Sequence, residues 1–196
     1  MKLPTIYLLR HGQTVWNVEE RYQGQLNSPL TNKGELQAKN NAKKLSKYID
    51  INEVKFFSSP LGRAKQTAEI IAQANGMNIS DIIFHTYIQE FNYGIFEGQT
   101  KRYCQTEYAV QFASREADKF NYVVEGGESY LHVYERLKLW LETVKEEKVI
   151  VVVAHEMVNR ALRGIYCNMK TEEMLTLCQA NDVLIKLENS LEEILD

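Results

Sequence analysis

The stretch Val149-Ile150-Val151-Val152-Val153-Ala154 limits the folds open to this chain more than any other. Six consecutive apolar residues, four of them valine, are too few for a stable helix and lack the alternation of a strand with one wet face. β-Branched side chains suit a pleated strand. A strand apolar on both faces belongs in the middle of a sheet that is covered on both sides, as parallel sheets are. Such a sheet needs helices on each face and helical crossovers between its strands.

The rest of the sequence supplies both. Thr5-Ile6-Tyr7-Leu8-Leu9 is a compact strand-forming run that stops at Arg10-His11-Gly12. Val54–Ser58 reads as a second strand, Ile82–Phe84 as a short third and Val183–Leu187 as the last. Between them, Ala38, Ala42, Leu45 and Ile49 recur at helical spacing from Glu35 to about Ile49, behind a cap at Thr31 or Asn32. A second helix runs from about Leu61 to Ala74 and ends at Asn75-Gly76. Ser129 caps a long amphipathic helix carrying Tyr130, Val133, Leu137, Leu141 and Val144, and another helix spans about Val158 to Tyr166. The expected fold class is α/β: a three-layer α/β/α sandwich with a mostly parallel central sheet. With 196 residues, no internal repeat and no Pro/Gly-rich linker, the expectation is one domain over 1–196. Thr100–Val124, mixed in polarity and rich in aromatics, reads as an insertion over one sheet edge and a candidate lid. The acidic end Leu191–Asp196 reads as a solvated tail.

Composition narrows the partners. A net charge of -3 gives no general attraction to nucleic acid or to an anionic membrane, so an anionic ligand must be held by a local cluster of positive charge. The N-terminal apolar run is broken by Arg10, so neither a signal peptide nor a membrane span is expected. Cys104, Cys167 and Cys178 are odd in number and lack C-x-x-C spacing. They suggest neither a disulfide framework nor a metal site, and point to a reducing cytoplasm.

In open α/β sheets, ligands bind beyond the carboxyl ends of the strands. Arg10 and His11 end the first strand, and His155 ends the most buried one. Arg63 follows the Ser58-Ser59-Pro60 strand end, and Glu90 lies a few residues past the third strand. Any one of these would pass as a surface charge. Together, four strand ends deliver two arginines, two histidines and a carboxylate to one rim, a set suited to phosphoryl transfer. Guanidinium forks hold the phosphoryl oxygens, and a neutral imidazole can attack phosphorus to form a phosphohistidine. A carboxylic acid can protonate the leaving oxygen and later deprotonate water. No metal or cofactor is needed for that chemistry. His155-Glu156-Met157-Val158-Asn159 falls one residue short of the H-E-x-x-H zinc motif, with an amide where the second histidine belongs, so zinc is not expected. His85 and His132 stand outside any motif.

Several motifs then line up along nearly the whole chain. They are Leu9-Arg10-His11-Gly12-Gln13-Thr14 with Trp16-Asn17, Arg21-Tyr22-Gln23-Gly24 through Ser28-Pro29-Leu30-Thr31, and Ser58-Ser59-Pro60-Leu61-Gly62-Arg63-Ala64-Lys65-Gln66-Thr67. Glu90 through Tyr93-Gly94, Phe96-Glu97-Gly98, Gly126-Gly127-Glu128-Ser129 and Ala154-His155 complete the set. In this order and spacing the chain resembles the histidine phosphatase superfamily, also called phosphoglycerate mutase-like. The resemblance implies that His11 is phosphorylated, that Arg10, Arg63 and His155 bind the phosphoryl group, and that Glu90 is the proton donor. It implies further phosphate or substrate contacts at Asn17 and Gln23, with Gly24 and Tyr93 beside them. Lys101, Arg102 and Tyr103 begin the candidate lid and are expected on the substrate side. One departure is Glu156, where the family commonly has a small residue such as glycine. A carboxylate there would repel substrate, so it is expected to point away or to pair with a cation such as Arg160 or Arg163.

The family includes phosphatases and cofactor-dependent mutases. Mutases usually carry an arginine after the catalytic glutamate and are longer; here that position is Phe91. The expectation is therefore a metal-independent phosphatase acting on a small phosphorylated metabolite. A phosphoglycerate mutase is the alternative, and a non-catalytic binder of phosphorylated ligands is the third option. A homodimer is left open.

Overall fold

A computed structural model describes residues 3–196; Met1 and Lys2, part of the stretch read for a leader, lie outside the described residues. Strand β1 is Thr5–Arg10, followed by the short helix α1, Val15–Val18, and by α2, Asn32–Leu45. Then come β2 (Lys55–Ser58), α3 (Gly62–Ala74) and β3 (Ile83–Phe84). Helices α4 (Lys101–Glu107), α5 (Ala109–Ala117) and α6 (Tyr130–Val144) precede β4 (Val149–Ala154). The chain ends with α7 (Glu156–Tyr166), α8 (Thr171–Thr176), β5 (Leu184–Glu188) and β6 (Leu191–Leu195).

The strands form one sheet in the order β3-β2-β4-β1-β5-β6. β3, β2, β4 and β1 run parallel, and β5 is antiparallel to β1. The apolar run Val149–Ala154 forms β4 over its full length, flanked by β1 and β2. Its side chains divide between two cores. Ile150, Val152 and Ala154, with Ile6 and Leu8 of β1, face Tyr130, Val133, Leu137 and Trp140 of α6 and Val158, Ala161 and Leu162 of α7. Val151 and Val153, with Tyr7 and Leu9, face Ala42 and Leu45 of α2 and Ala64, Ala68 and Ile71 of α3. Two apolar faces, each covered by a helix pair, give the three-layer sandwich.

Helix starts follow local chemistry. The Thr31 side chain accepts the Gly34 N–H at the head of α2, and Ser129 caps α6. The cap of α6 is reciprocal, because the His132 ring accepts the Ser129 N–H. That gives the motif-free His132 a structural role. Asn75 and Gly76 end α3, with Gly76 at φ +73°.

The acidic end is a correction. Leu191–Leu195 is not a free tail but strand β6, antiparallel to β5. Asn189 and Ser190 make a two-residue turn with φ of +52° and +60°, which matches the twist of a hairpin. Glu192 places both carboxylate oxygens on the Arg163 guanidinium at 2.7 Å, and Leu195 is buried against the α2–α3 core.

Candidate active site

The turn that follows β1 is pinned from every side. The His11 N–H continues the ladder to the Ala154 carbonyl at 3.0 Å, and the His11 carbonyl accepts Asn181 Nδ2 at 2.7 Å. The Gly12 N–H donates to Thr67 Oγ1 at 3.0 Å, which in turn donates to the Arg63 carbonyl at 2.7 Å. Glycine is required at position 12, since a Cβ there would sit 2.3 Å from the Gly34 carbonyl oxygen at the start of α2. The imidazole is thus carried on backbone that has little freedom to move.

His11 is 2% exposed. Its Nδ1 lies 2.8 Å from the Gly12 carbonyl, which can only accept, so the proton is on Nδ1. Nε2 then carries the lone pair, which accepts from the Arg63 Nε–H at 3.3 Å. Burial, then the charges of Arg63 and Arg10, hold the ring's pKa well below the ordinary histidine value, so it is neutral at physiological pH. The neutral ring is the nucleophilic form of a histidine.

His155 stands beside it, with ring centroids 5.2 Å apart. Its Nε2 is 2.7 Å from Ser59 Oγ, and its buried Nδ1 has no partner among the described residues. Burial, Arg63 and His11 keep its pKa well below the ordinary value too. The Arg63 guanidinium is 1% exposed and held by the carbonyls of Leu26 (2.8 Å) and Gly24 (2.7 Å). Desolvation brings its pKa down to about 10, which leaves it charged at neutral pH. Gly24 is needed for its backbone: φ is +53°, and a Cβ would collide with the Glu97 carboxylate.

Glu90 lies across the same cleft, buried, with its Oε1 accepting the Phe91 N–H at 2.9 Å. Burial raises its pKa above the ordinary carboxylate value, against the opposing pull of Arg63. Arg136 of α6 fixes the segment that carries it. Its guanidinium reaches the carbonyls of Tyr87, Gln89 (2.8 Å) and Glu90 (3.4 Å) and pairs with Glu128, whose other oxygen accepts the Asn92 N–H.

The cleft over His11 has a volume of about 390 Å³. Arg10, His11, Asn17, Gln23, Gly24, Arg63, Glu90, Tyr93 and Lys101 all line it. Asn17 Oδ1 accepts from the Thr14 N–H and hydroxyl, which leaves its NH2 to meet an anion. Gln23 Oε1 is buried without a partner among the described residues. Tyr93 is a wall residue, its ring packed at a tilt against Tyr22 and Phe91. Arg102 and Tyr103 are exposed on α4 and are not among the cleft-lining residues. His155 lies just beneath the cleft rather than on its surface.

Other residues at the cleft were given no part in substrate binding by the sequence. The Arg115 guanidinium of α5 lies 5.4 Å above the Tyr93 ring. Arg21, Lys119, Tyr130 and Arg160 complete the wall. Helical periodicity in Ala109–Ala117 was the available signal for Arg115, but nothing in the sequence said which sheet edge α5 would cover. Glu156 does not point away: it lines the cleft and pairs with Arg10 and Arg160, while Arg163 is taken by Glu192.

The sequence profile of the histidine phosphatase superfamily (branch 1) matches residues 6–193. The chain belongs to this superfamily. A probable 2-carboxy-D-arabinitol-1-phosphatase of Arabidopsis thaliana is 35% identical over 179 residues, 90% of this chain and 36% of that protein. A probable phosphoglycerate mutase, GpmB, of Escherichia coli O1:K1 / APEC is 51% identical over 92 residues, 47% of this chain and 40% of that protein. The chain thus spans about two fifths of the length of the curated relatives it matches. The alpha-ribazole phosphatase of Shigella flexneri shares the fold, with a TM-score of 0.82 at 22% identity over 97% of this chain and 94% of that one.

Proposed function

We propose that this histidine phosphatase superfamily chain is a metal-independent phosphomonoesterase for small phosphorylated metabolites, working in the cytoplasm through a phosphohistidine at His11. The observation that carries the proposal is the pairing of a neutral His11, its lone pair on Nε2 facing Arg63, with a buried Glu90 whose proton affinity is raised. In the first step His11 Nε2 attacks phosphorus and the ester P–O bond breaks. Glu90 gives its proton to the departing oxygen. Arg10 and Arg63 balance the charge on the equatorial oxygens, with the free Nδ1 of His155 and the amide of Asn17 as further donors. In the second step water attacks the phosphohistidine, its proton goes to Glu90, and the P–N bond breaks. Gln23, Tyr93 and Lys101 are the groups we assign to the leaving-group side. Arg102, out on α4, is given no part. Residues 100–124, which fold over this side as α4 and α5, are the segment we assign as a lid.

The match to GpmB supports a second activity, return of the phosphoryl group to another hydroxyl as in a mutase. Phe91 weighs against it. The position after Glu90 is buried among Tyr93 and Tyr130 and brings no cation to a substrate carboxylate. If a second copy binds, the free edge of β6 is where we would look for it.

Hydrolysis of an aryl phosphate in the presence of chelator, with wild type and His11→Ala side by side, tests the proposal. Activity should survive chelation and fall by at least three orders of magnitude in the variant. Loss in chelator would refute the metal-free route. Isomerisation of a phosphoglycerate with added bisphosphoglycerate, faster than phosphate release, would establish the mutase.

A further inference from the structure

Glu156 opens α7 directly after His155 and sets a carboxylate in the wall of an anion-binding cleft. Its side chain is 17% exposed, and both oxygens are occupied by its own chain. Oε2 meets Arg10 Nη1; Oε1 accepts from Arg160 Nη2 at 3.4 Å and from the Gln179 N–H at 3.3 Å. Three of its contacts are thus made within the chain, two of them to guanidinium groups.

Nor does Arg10 depend on Glu156 for its place. Nη1 also donates to the Gln179 carbonyl at 2.8 Å. Gln179 is itself anchored through its side chain to the carbonyls of Leu8 and Val183 and to Asn159 Nδ2. What Glu156 adds, and the neutral carbonyl does not, is a negative charge one guanidinium away from the reacting phosphoryl group. Arg10 Nε is buried and has no partner among the described residues.

We propose that Glu156 is a built-in counter-anion that weakens the hold of Arg10 on phosphate and so speeds the departure of orthophosphate. This rests on the assignment of Arg10 to the phosphoryl site. Orthophosphate carries the same oxygens and charge as the group being transferred. A site that grips one grips the other, and binding that is equally strong before and after the transition state does nothing for turnover. Glu156 draws part of Arg10's charge. The gain falls on product release, while Arg63 and His155 remain to hold the phosphoryl group during transfer.

Glu156→Gln keeps the side-chain length and an acceptor for the Gln179 N–H while removing the charge. Calorimetric titration with inorganic phosphate is expected to give a Kd about tenfold lower than wild type, with the difference shrinking at high salt. In an Arg10→Ala background the same substitution should change Kd little. Unchanged or weaker phosphate binding in Glu156→Gln would overturn the proposal, and a lower kcat with a higher KM would make Glu156 a positioning residue for Arg10 instead. Glu156→Ser is predicted to shift Kd the same way and serves if the glutamine variant does not fold. If Arg10→Ala binds phosphate as wild type does, the assignment beneath the proposal fails. If Arg10→Ala is weakened and Glu156→Gln is not shifted, the proposal fails alone.

Discussion

At the scale of single residues, the site sets Glu90, His11 and His155 against their ordinary behaviour, and each has a measurable consequence. Glu90 is buried with a raised pKa, so its acid form persists to higher pH than an exposed glutamate's. Glu90→Gln should lower kcat by two to four orders of magnitude for alkyl phosphates. The loss should be much smaller for a nitrophenyl phosphate, whose leaving group needs no proton. Glu90 also costs stability at neutral pH, because the folded state disfavours the ionised form that the unfolded chain adopts freely. Glu90→Gln should therefore raise Tm at pH 7, with the gain disappearing as pH falls towards 4.5, the value of an unperturbed glutamate. The histidines act in the opposite direction. His11 and His155 are held neutral in the folded state, whereas the unfolded chain protonates them below about pH 6.5. Stability should be unaffected by them above that pH and fall as the solution becomes more acid, and calorimetric scans of wild type against His155→Asn would show the difference. The residues we assign to the chemistry could be picked out in the sequence because they sit at or just past strand ends. Ser59, which meets His155, and Arg136, which holds the segment of Glu90, could not, since both act through neighbours and neither carries the reaction.

Elements differ in how openly the sequence announced them. β4 was evident because apolar character on both faces leaves a strand one place to go, and α6 because a serine cap precedes a five-residue apolar stripe. β6 was hidden by two features. Its turn is Asn189-Ser190 rather than Asn-Gly, so the usual hairpin signal is missing, and its glutamates suggest solvent. The burial of Arg163 on α7 supplies the reason for an acidic strand, since only a partner such as Glu192 makes that guanidinium tolerable there. Two outcomes follow for the hairpin. Ser190→Gly should stabilise the fold by about 0.5–1 kcal/mol by relieving a left-handed residue. Glu192→Ala should destabilise it by about 1–3 kcal/mol by stranding a buried charge. Urea denaturation of the two variants would measure both.

For the whole molecule, the two histidines are far apart in the chain and adjacent in space for a single reason: β1 and β4 are parallel neighbours, with Arg10 opposite Ala154. Everything N-terminal to β4 brings Arg10, His11, Arg63 and Glu90 to the cleft; everything from β4 onward brings His155 and Glu156. The link between those halves, Lys145–Lys148, is short and largely exposed, and it lies at the opposite end of β4 from the cleft. A chain cut there would yield two pieces, neither of which holds a complete phosphate pocket, and each would expose one side of the ladder that the other must cover. Phosphate release would then report reassembly of the pieces, so the sheet register serves as a switch that two separate polypeptides can close.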